Sequence, residues 1–560
     1  MNKIFRALSV VAALSLFVSC SSSKNVANNV DVSTASYNIT TIDSYKPAAE
    51  EPGKTWHLTP AMDQNYTGTG VEQAYAEILS GRSPKQKVIV AIIDSGTDIE
   101  HEDLAGKIWV NEDEIPGNNK DDDNNGYVDD VHGWNFIGGP DGQNVDKDTY
   151  EVTRLYAEMR DDFEGKDPSD IPSDKMDEYQ YFLDIKEAYQ TRVNRNDQEL
   201  QQISQIRMAI QFAKNTLGIS SIDSISEDSL QVTGNEDQQT FQAKQIISSL
   251  KANGASEKDI EDLDEYNQQL NDLSEYGLNP DFDPRHIVGD DYDDLSDRYY
   301  GNNDVKGPGS DHGTHVAGIV GAIRNNNLGA QGVADHIELM IVRTVPDGDE
   351  RDKDVANAIR YATENGAKVI NMSFGKGYSP EKEYVDAAVK FADQNGVLLV
   401  SGAGNGSENV DVIDSFPSRF YEDGDQATNF LSVGATSWKT DSTLVAGFSN
   451  YGKKSVDIFA PGVDVYSTYP ENNYKMESGT SMAAPVVSGI AALMMSYYPE
   501  LTTQQVKDVI LNTVTKMELN VYKPGGMNAV SFTELSSTGG IINAYHAIKT
   551  AEELKRQNTP

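Results

Sequence analysis

Four short apolar runs punctuate the chain, at residues 87–93, 368–373, 396–401 and 429–436. They are rich in β-branched residues and largely unbroken by polar ones, the pattern of strands buried on both faces. Between them the period lengthens. Residues 354–365 set Val355, Ala358, Ile359 and Ala362 on one face, with Gly366 placed to cap the turn that follows. A second helix is predicted from Ser379-Pro380, with proline in its first position, to Asn395-Gly396. Strands alternating with helices predict an α/β fold, a mainly parallel sheet flanked by helices in three layers. In such sheets function gathers at the carboxyl ends of the strands.

Residues 144–283 break this rhythm. They are charged and rich in Gln, Glu and Asp, and Met176, Tyr179, Leu183, Tyr189, Val193, Leu200, Ile203 and Ile210 recur at roughly three- and four-residue steps. The pattern predicts two to four amphipathic helices, an antiparallel pair among the arrangements it allows. This α-helical insertion divides the α/β domain into residues 53–143 and 284–550, followed by a tail, 551–560. A protein partner of the insertion is an open possibility, although the repeat is too irregular for a coiled coil.

Charge narrows the function classes. The 560 residues carry 46 Lys and Arg against 88 Asp and Glu, a net charge of −42. Phosphates would be repelled, so a nucleic-acid partner is not expected. Abundant carboxylates suit calcium instead. Residues 1–20 read as a targeting segment, with Lys3 and Arg6 before an apolar stretch, 7–18. It ends in Phe17-Val18-Ser19-Cys20, which resembles a bacterial lipobox and makes Cys20 the candidate lipidation site. The expected product is an exported outer-membrane lipoprotein facing the periplasm or the cell surface. A cleaved secretory signal is the alternative. Cys20 is the only cysteine, so no disulfide is expected. Residues 21–52, polar and aperiodic, read as a flexible tether. No later apolar stretch is expected to be long enough to cross a membrane.

Three motifs carry chemistry. Asp94 follows the first buried run in Val90-Ala91-Ile92-Ile93-Asp94-Ser95-Gly96. His312 lies in Asp311-His312-Gly313-Thr314-His315-Val316-Ala317-Gly318, and Ser481 in Gly479-Thr480-Ser481-Met482-Ala483-Ala484-Pro485. Singly, each has an ordinary reading: a turn aspartate, a structural histidine, a helix N-cap serine. Together, in the order Asp, His, Ser, they resemble the subtilisin-like serine protease family. The resemblance runs from about residue 87 to 547. It extends to Asn371-Met372-Ser373-Phe374-Gly375, Ser401-Gly402-Ala403-Gly404-Asn405, Phe448-Ser449-Asn450-Tyr451-Gly452, Ala460-Pro461-Gly462 and Gly540-Ile541-Ile542-Asn543-Ala544.

That resemblance implies an endopeptidase acting through an acyl-enzyme, with protein or peptide substrates. Ser481 would be the nucleophile, His312 its base, and Asp94 the group that orients His312. Asn405 matches the side-chain donor to the oxyanion. Ser373, Phe374, Gly375, Ala403 and Gly404 resemble the walls of the primary pocket. Phe416-Pro417 matches an element whose proline is usually cis, which puts Ser415 near the pocket floor. The competing function is a catalytically silent binding or scaffold protein of the same fold at the cell envelope. The intact residues at all four catalytic positions favour the enzyme.

The stretch 121–130 offers oxygen ligands at alternate positions and a glycine for the bend. Asp121, Asp123, Asn125, Tyr127 and Asp130 are therefore candidate ligands of a structural calcium ion. The loop is not an EF-hand, because His132 stands where the bidentate glutamate belongs. Asp103 matches a calcium ligand of the family, whose companion loop the insertion is expected to replace. Asp290, Asp291, Asp293 and Asp294 read as a solvated acidic cluster. His101 and His315 belong to the motifs without a catalytic role, and no zinc site is expected. No organic cofactor is expected.

Overall fold

A computed structural model describes residues 37, 39–45, 49–61, 66–232, 234 and 236–557. Cys20 and the whole targeting segment lie outside the described residues. The chain divides into two compact units, one built from Ala35–Glu151 with Asp283–Pro560, the other containing Val152–Phe282.

The first unit is organised by a sheet. In chain order its strands are β1 (Thr41–Ile42), β2 (Val88–Asp94), β3 (Gly133–Asn135), β4 (Ile337–Arg343), β5 (Val369–Met372), β6 (Leu398–Gly402), β7 (Phe430–Thr436), β8 (Ile458–Pro461), β9 (Val465–Tyr469), β10 (Asn473–Glu477), β11 (Thr515–Met517), β12 (Asn520–Tyr522), β13 (Ala529–Ser531) and β14 (Gly540–Ile541). Ten form one sheet, in the order β1-β11-β14-β8-β7-β6-β5-β2-β4-β3. Every pair in it is parallel except β11 with β14. The remaining four strands make two antiparallel hairpins.

The four apolar runs are the strands β2, β5, β6 and β7, displaced by a residue or two. Strand β2 shows why they are continuous. Val88, Val90 and Ile92 face a core shared with the helices Asp311–Gly321 and Thr480–Tyr497. Ala91 and Ile93 face a second core, shared with the helices Asp352–Glu364 and Lys382–Gln394. Successive side chains point to opposite faces, and here both faces are dry.

Three expectations need correction. The tether expected to reach residue 52 ends early, because Thr41 and Ile42 pair with Lys516 and Met517 at the sheet edge. The helix expected from Pro380 begins at Lys382, with Glu381 as a non-helical N-cap (φ −100°, ψ 38°) whose amide donates to the Asp352 carboxylate at 2.9 Å. The helix Thr480–Tyr497 does have the length and apolarity of a membrane span, yet 94% of that window is buried within the protein. Its hydrophobicity serves the core.

The second unit is helical. Its main helices are Glu151–Phe163 (which starts on the last residue of the first unit), Met176–Leu217, Gln238–Ala252 and Glu257–Asp272. The 42-residue helix presents Ile203, Ile206 and Ile210 to Ala243, Ile247, Leu250, Ile260 and Leu263. Its pairing with Glu257–Asp272 is antiparallel: Asn196 meets Leu270, Arg207 meets Asp264, and Lys214 meets Glu257. Ser256 and Asp259 form a capping box at the start of that helix.

Candidate active site

Asp94 is the last residue of β2 and only 2% exposed. Its Oδ1 accepts the Ser95 amide (2.8 Å) and Nδ1–H of His312 (2.7 Å). A carboxylate only accepts, so the proton of a neutral His312 sits on Nδ1 and leaves Nε2 as a base. His312 occupies the first turn of Asp311–Gly321, and that helix can approach β2 because residue 313 is glycine. A Cβ there would overlap the Gly96 carbonyl oxygen. Burial alone would lower the His312 pKa. The Asp94 carboxylate outweighs it, helped by Asp311 and Glu477, and raises His312 to about 8.

Strand β5 lies beside β2, with Met372 opposite Ile93. The next residues on each, Ser373 and Asp94, therefore end neighbouring strands about 4.8 Å apart. Ser481 joins them from the second position of Thr480–Tyr497. Its Oγ donates to the Ser373 carbonyl (3.1 Å), and Ser373 Oγ donates to the Ser481 carbonyl (2.9 Å). The hydroxyl is thus parked on the β5 end. At the start of a helix, Ser481 also sits among backbone amides that favour negative charge.

Asn405 follows β6, the next strand across. Its Oδ1 accepts both the Thr480 amide (2.9 Å) and the Thr480 hydroxyl (3.0 Å). With the oxygen fixed, the Nδ2 donors are presented beside Gly479, where an added Cβ would sit 3.5 Å from Nδ2. Lys376 and Phe416 bridge through both backbone bonds (3.0 and 2.9 Å), joining the Ser373–Phe374–Gly375 stretch to Ser415 and the cis Phe416-Pro417 bond. Asn450 was not singled out by sequence, although its motif was. Its Nδ2 donates to the Ala403 carbonyl and its Oδ1 accepts the Gly406 and Glu408 amides, fixing the loop that carries Gly404 and Asn405.

The acidic loop sorts itself differently from its linear pattern. Asp123 and Asp130 converge with Glu114, ligand atoms all lying within 4.8 Å of one another. Glu114 escaped notice because it precedes the alternating stretch. Its Oε1 accepts the Asp122 amide, while its buried Oε2 has no hydrogen-bond partner. Asp121 turns the loop by accepting the Asn125 and Gly126 amides. Asn125 donates to Asp123 and Asp130, and the Tyr127 ring goes into the core against Trp134, Phe136 and Tyr361. Burial raises the Asp130 pKa to about 6, against hydrogen bonds from Tyr361, Asn111 and Asn125. Three carboxylates, one of them with an orphaned buried oxygen, fit a hard cation.

Asp103 stands apart from that cluster. Its oxygens accept Asn326 Nδ2 (2.6 Å) and the Ala330 amide (2.9 Å), so residues 326–330 close on it. Asp290 is not solvated either. It pairs with Arg285 (2.7 Å) and Lys353 (2.8 Å), its side chain fully buried, while Asp291, Asp293 and Asp294 are exposed. His101 and His315 hold the β9–β10 hairpin through the Asn473 and Lys475 carbonyls.

Fold and site together define a parallel-sheet α/β protein with a carboxylate–imidazole pair and a helix-borne serine at adjacent strand ends. The Subtilase family model matches residues 85–533. Subtilisin BL of Lederbergia lenta is 38% identical over 228 residues, covering 40% of this chain and 78% of that protein. Subtilisin DY of Bacillus licheniformis is 36% identical over 223 residues, covering 39% and 76%. A solved protease structure from Pseudoalteromonas arctica PAMC 21717 is 28% identical, with a TM-score of 0.36 and coverage of 45% and 78%. This chain belongs to the subtilase family of serine peptidases.

Proposed function

We propose that this chain is an active serine endopeptidase. The observation that carries the reading is the 2.7 Å bond from His312 to the buried Asp94, next to the strand end on which Ser481 rests. Serine is a weak nucleophile at neutral pH and needs a base. His312 Nε2 takes the Ser481 proton as Oγ attacks the scissile carbonyl, and returns it to the leaving amine. Asp94 keeps the tautomer and stabilises the imidazolium. The oxyanion is met by Asn405 Nδ2 and the Ser481 amide. Water then hydrolyses the acyl-enzyme by the same route in reverse. The substrate lies extended, as an added strand between residues 373–375 and the segment after β4. Glu114, Asp123 and Asp130 would hold a structural calcium ion, which supplies charge to a loop that otherwise crowds carboxylates.

A fluorophosphonate separates this reading from a silent scaffold, because it bonds only to an activated serine. The full-length protein is expected to label, and Ser481→Ala is not. A wild type that stays unlabelled across calcium concentrations would leave the scaffold as the better reading.

A further inference from the structure

Resting on that reading, the two stems of the insertion are built into the substrate edge of the cleft. After β4 the chain starts on the site itself, where the Thr344 and Val345 amides both donate to the Asp94 carbonyl (3.0 and 3.3 Å). Two residues on, the Asp347 amide donates to the Asp146 carbonyl (2.8 Å) and its own carbonyl accepts the Asp148 amide (3.0 Å). Lys147 and Asp347 thereby form a parallel bridge. The chain bends at Gly348, just past this bridge, and the side of the segment away from the stem is where an added peptide strand would run. The approach is close enough that a Cβ on Gly348 would overlap the Asp148 carbonyl.

Arg351 completes the arrangement. Its guanidinium grips Asp148 with two bonds (2.8 and 3.1 Å) and Asp283 with a third (2.8 Å), its side chain 7% exposed. Asp148 lies just before, and Asp283 immediately after, the inserted Val152–Phe282. One cation thus ties the departing stem and the returning stem to the same four-residue edge. Lys376 links that edge to the opposite wall. It pairs with Glu151 (2.6 Å) and Asp352 (2.8 Å), and donates to the Glu350 carbonyl (2.8 Å), while its backbone is bridged to Phe416.

We propose that the stems act as a clamp on the edge 347–350, with Arg351 a positioning residue for extended peptides. The three Arg351 hydrogen bonds given above go to the stems, to Asp148 and Asp283, so its effect falls on substrate length. A small N-acyl amino-acid ester reaches only the nucleophile, the oxyanion donors and the primary pocket. An internally quenched octapeptide also needs the edge.

The test compares both substrates in Arg351→Met, Arg351→Lys and Asp283→Asn, the last at a side chain 67% exposed that can change without unfolding the core. The expected result is a KM for the octapeptide raised about tenfold in Arg351→Met, as follows from losing charge-assisted bonds. Asp283→Asn gives a smaller rise in the same direction, and Arg351→Lys recovers part of the loss. Ester turnover and fluorophosphonate labelling stay at wild-type rates, and the amides of 347–350 exchange hydrogen faster in both Arg351→Met and Asp283→Asn. Equal losses for ester and octapeptide, or no loss for either, overturn the clamp. A wild type that neither labels nor cleaves rejects the peptidase reading instead. The clamp is then judged by hydrogen exchange alone: faster exchange at 347–350 in the variants upholds it, and unchanged exchange overturns it. Should Arg351→Met fail to fold, Asp283→Asn carries the same comparison.

Discussion

The sheet unit and the helical unit use their residues in opposite ways. In the sheet unit, backbones touch: a Cβ on Gly313 would overlap the Gly96 carbonyl, and one on Gly318 would overlap the side chains of Ser467 and Thr468. Its Arg351–Asp148 and Lys376–Glu151 pairs are almost wholly shielded from water. In the helical unit, Gly218, Gly234 and Gly254 have open space around them and serve only to allow a positive φ. Two of its pairs, Arg207–Asp264 and Arg195–Glu199, are largely exposed and are worth roughly 0–1 kcal/mol each. The difference follows from the tasks. On the proposed mechanism, holding a nucleophile, a base and an oxyanion donor in register leaves little room for substitution, whereas joining helices needs only a continuous apolar face.

The largest expected effect breaks the two units apart experimentally. Asn405→Ala should lower turnover by about 10²–10³, since on the proposed mechanism it supplies one oxyanion donor, and should lower the melting temperature only modestly, by the loss of its two bonds from Thr480. Leu263→Ala, in the core between Met176–Leu217 and its neighbours, should cost the helical unit about 2–5 kcal/mol. It should leave fluorophosphonate labelling unchanged. Steady-state kinetics and thermal melts on both variants decide the matter. Loss of labelling in Leu263→Ala would show that the chemistry depends on the insertion's core.

The same contrast explains what the sequence made legible. Strands β2, β5, β6 and β7 announced themselves because burial on both faces forbids polar interruptions. The glycine-flanked motifs around Asp94, His312 and Ser481 were readable because close backbone approach dictates residue type on either side. The insertion showed its helices through periodicity, but not the 42-residue length of the central one, because no single window marks where an amphipathic helix stops. What escaped was contact between segments remote in sequence. Glu114 joins Asp123 and Asp130 only when the loop folds back, Asp103 finds its partners in residues 326–330, and Arg351 collects Asp148 with Asp283. Such pairings leave no local pattern, since each partner is an ordinary surface residue type in its own neighbourhood.

A smaller effect sharpens the account of the site through pH. On the proposed mechanism His312 must be neutral to act as a base, and its pKa is raised to about 8 by Asp94 against the pull of burial. Octapeptide kcat/KM should therefore fall as pH drops through about 8. The stability contribution has the opposite sign. A histidine whose folded pKa exceeds its unfolded value of about 6.5 stabilises the fold fully below that value. That contribution is lost as pH rises through about 8. Asp94→Asn removes the raising charge, so the activity limb should move to lower pH while turnover falls by about 10⁴. A limb that stays in place in Asp94→Asn would mean that another group sets it.

The smallest effect is confined to one loop, and it asks whether carboxylates in the sheet unit are held for chemistry or for a cation. Glu114, Asp123 and Asp130 bring three acidic groups together with one oxygen left unpaired. Nothing in this cluster hydrogen-bonds to Asp94, His312 or Ser481, so a cation there would act on stability alone. An ion bound only by the folded state stabilises it by about 2.7 kcal/mol when present at a hundredfold over its dissociation constant. Calcium is therefore expected to raise the melting temperature of the wild type and a chelator to lower it, while Glu114→Gln loses most of that shift and keeps its fluorophosphonate labelling. A shift that persists undiminished in Glu114→Gln would move the ion elsewhere, with Asp103 and its 326–330 loop the next place to substitute.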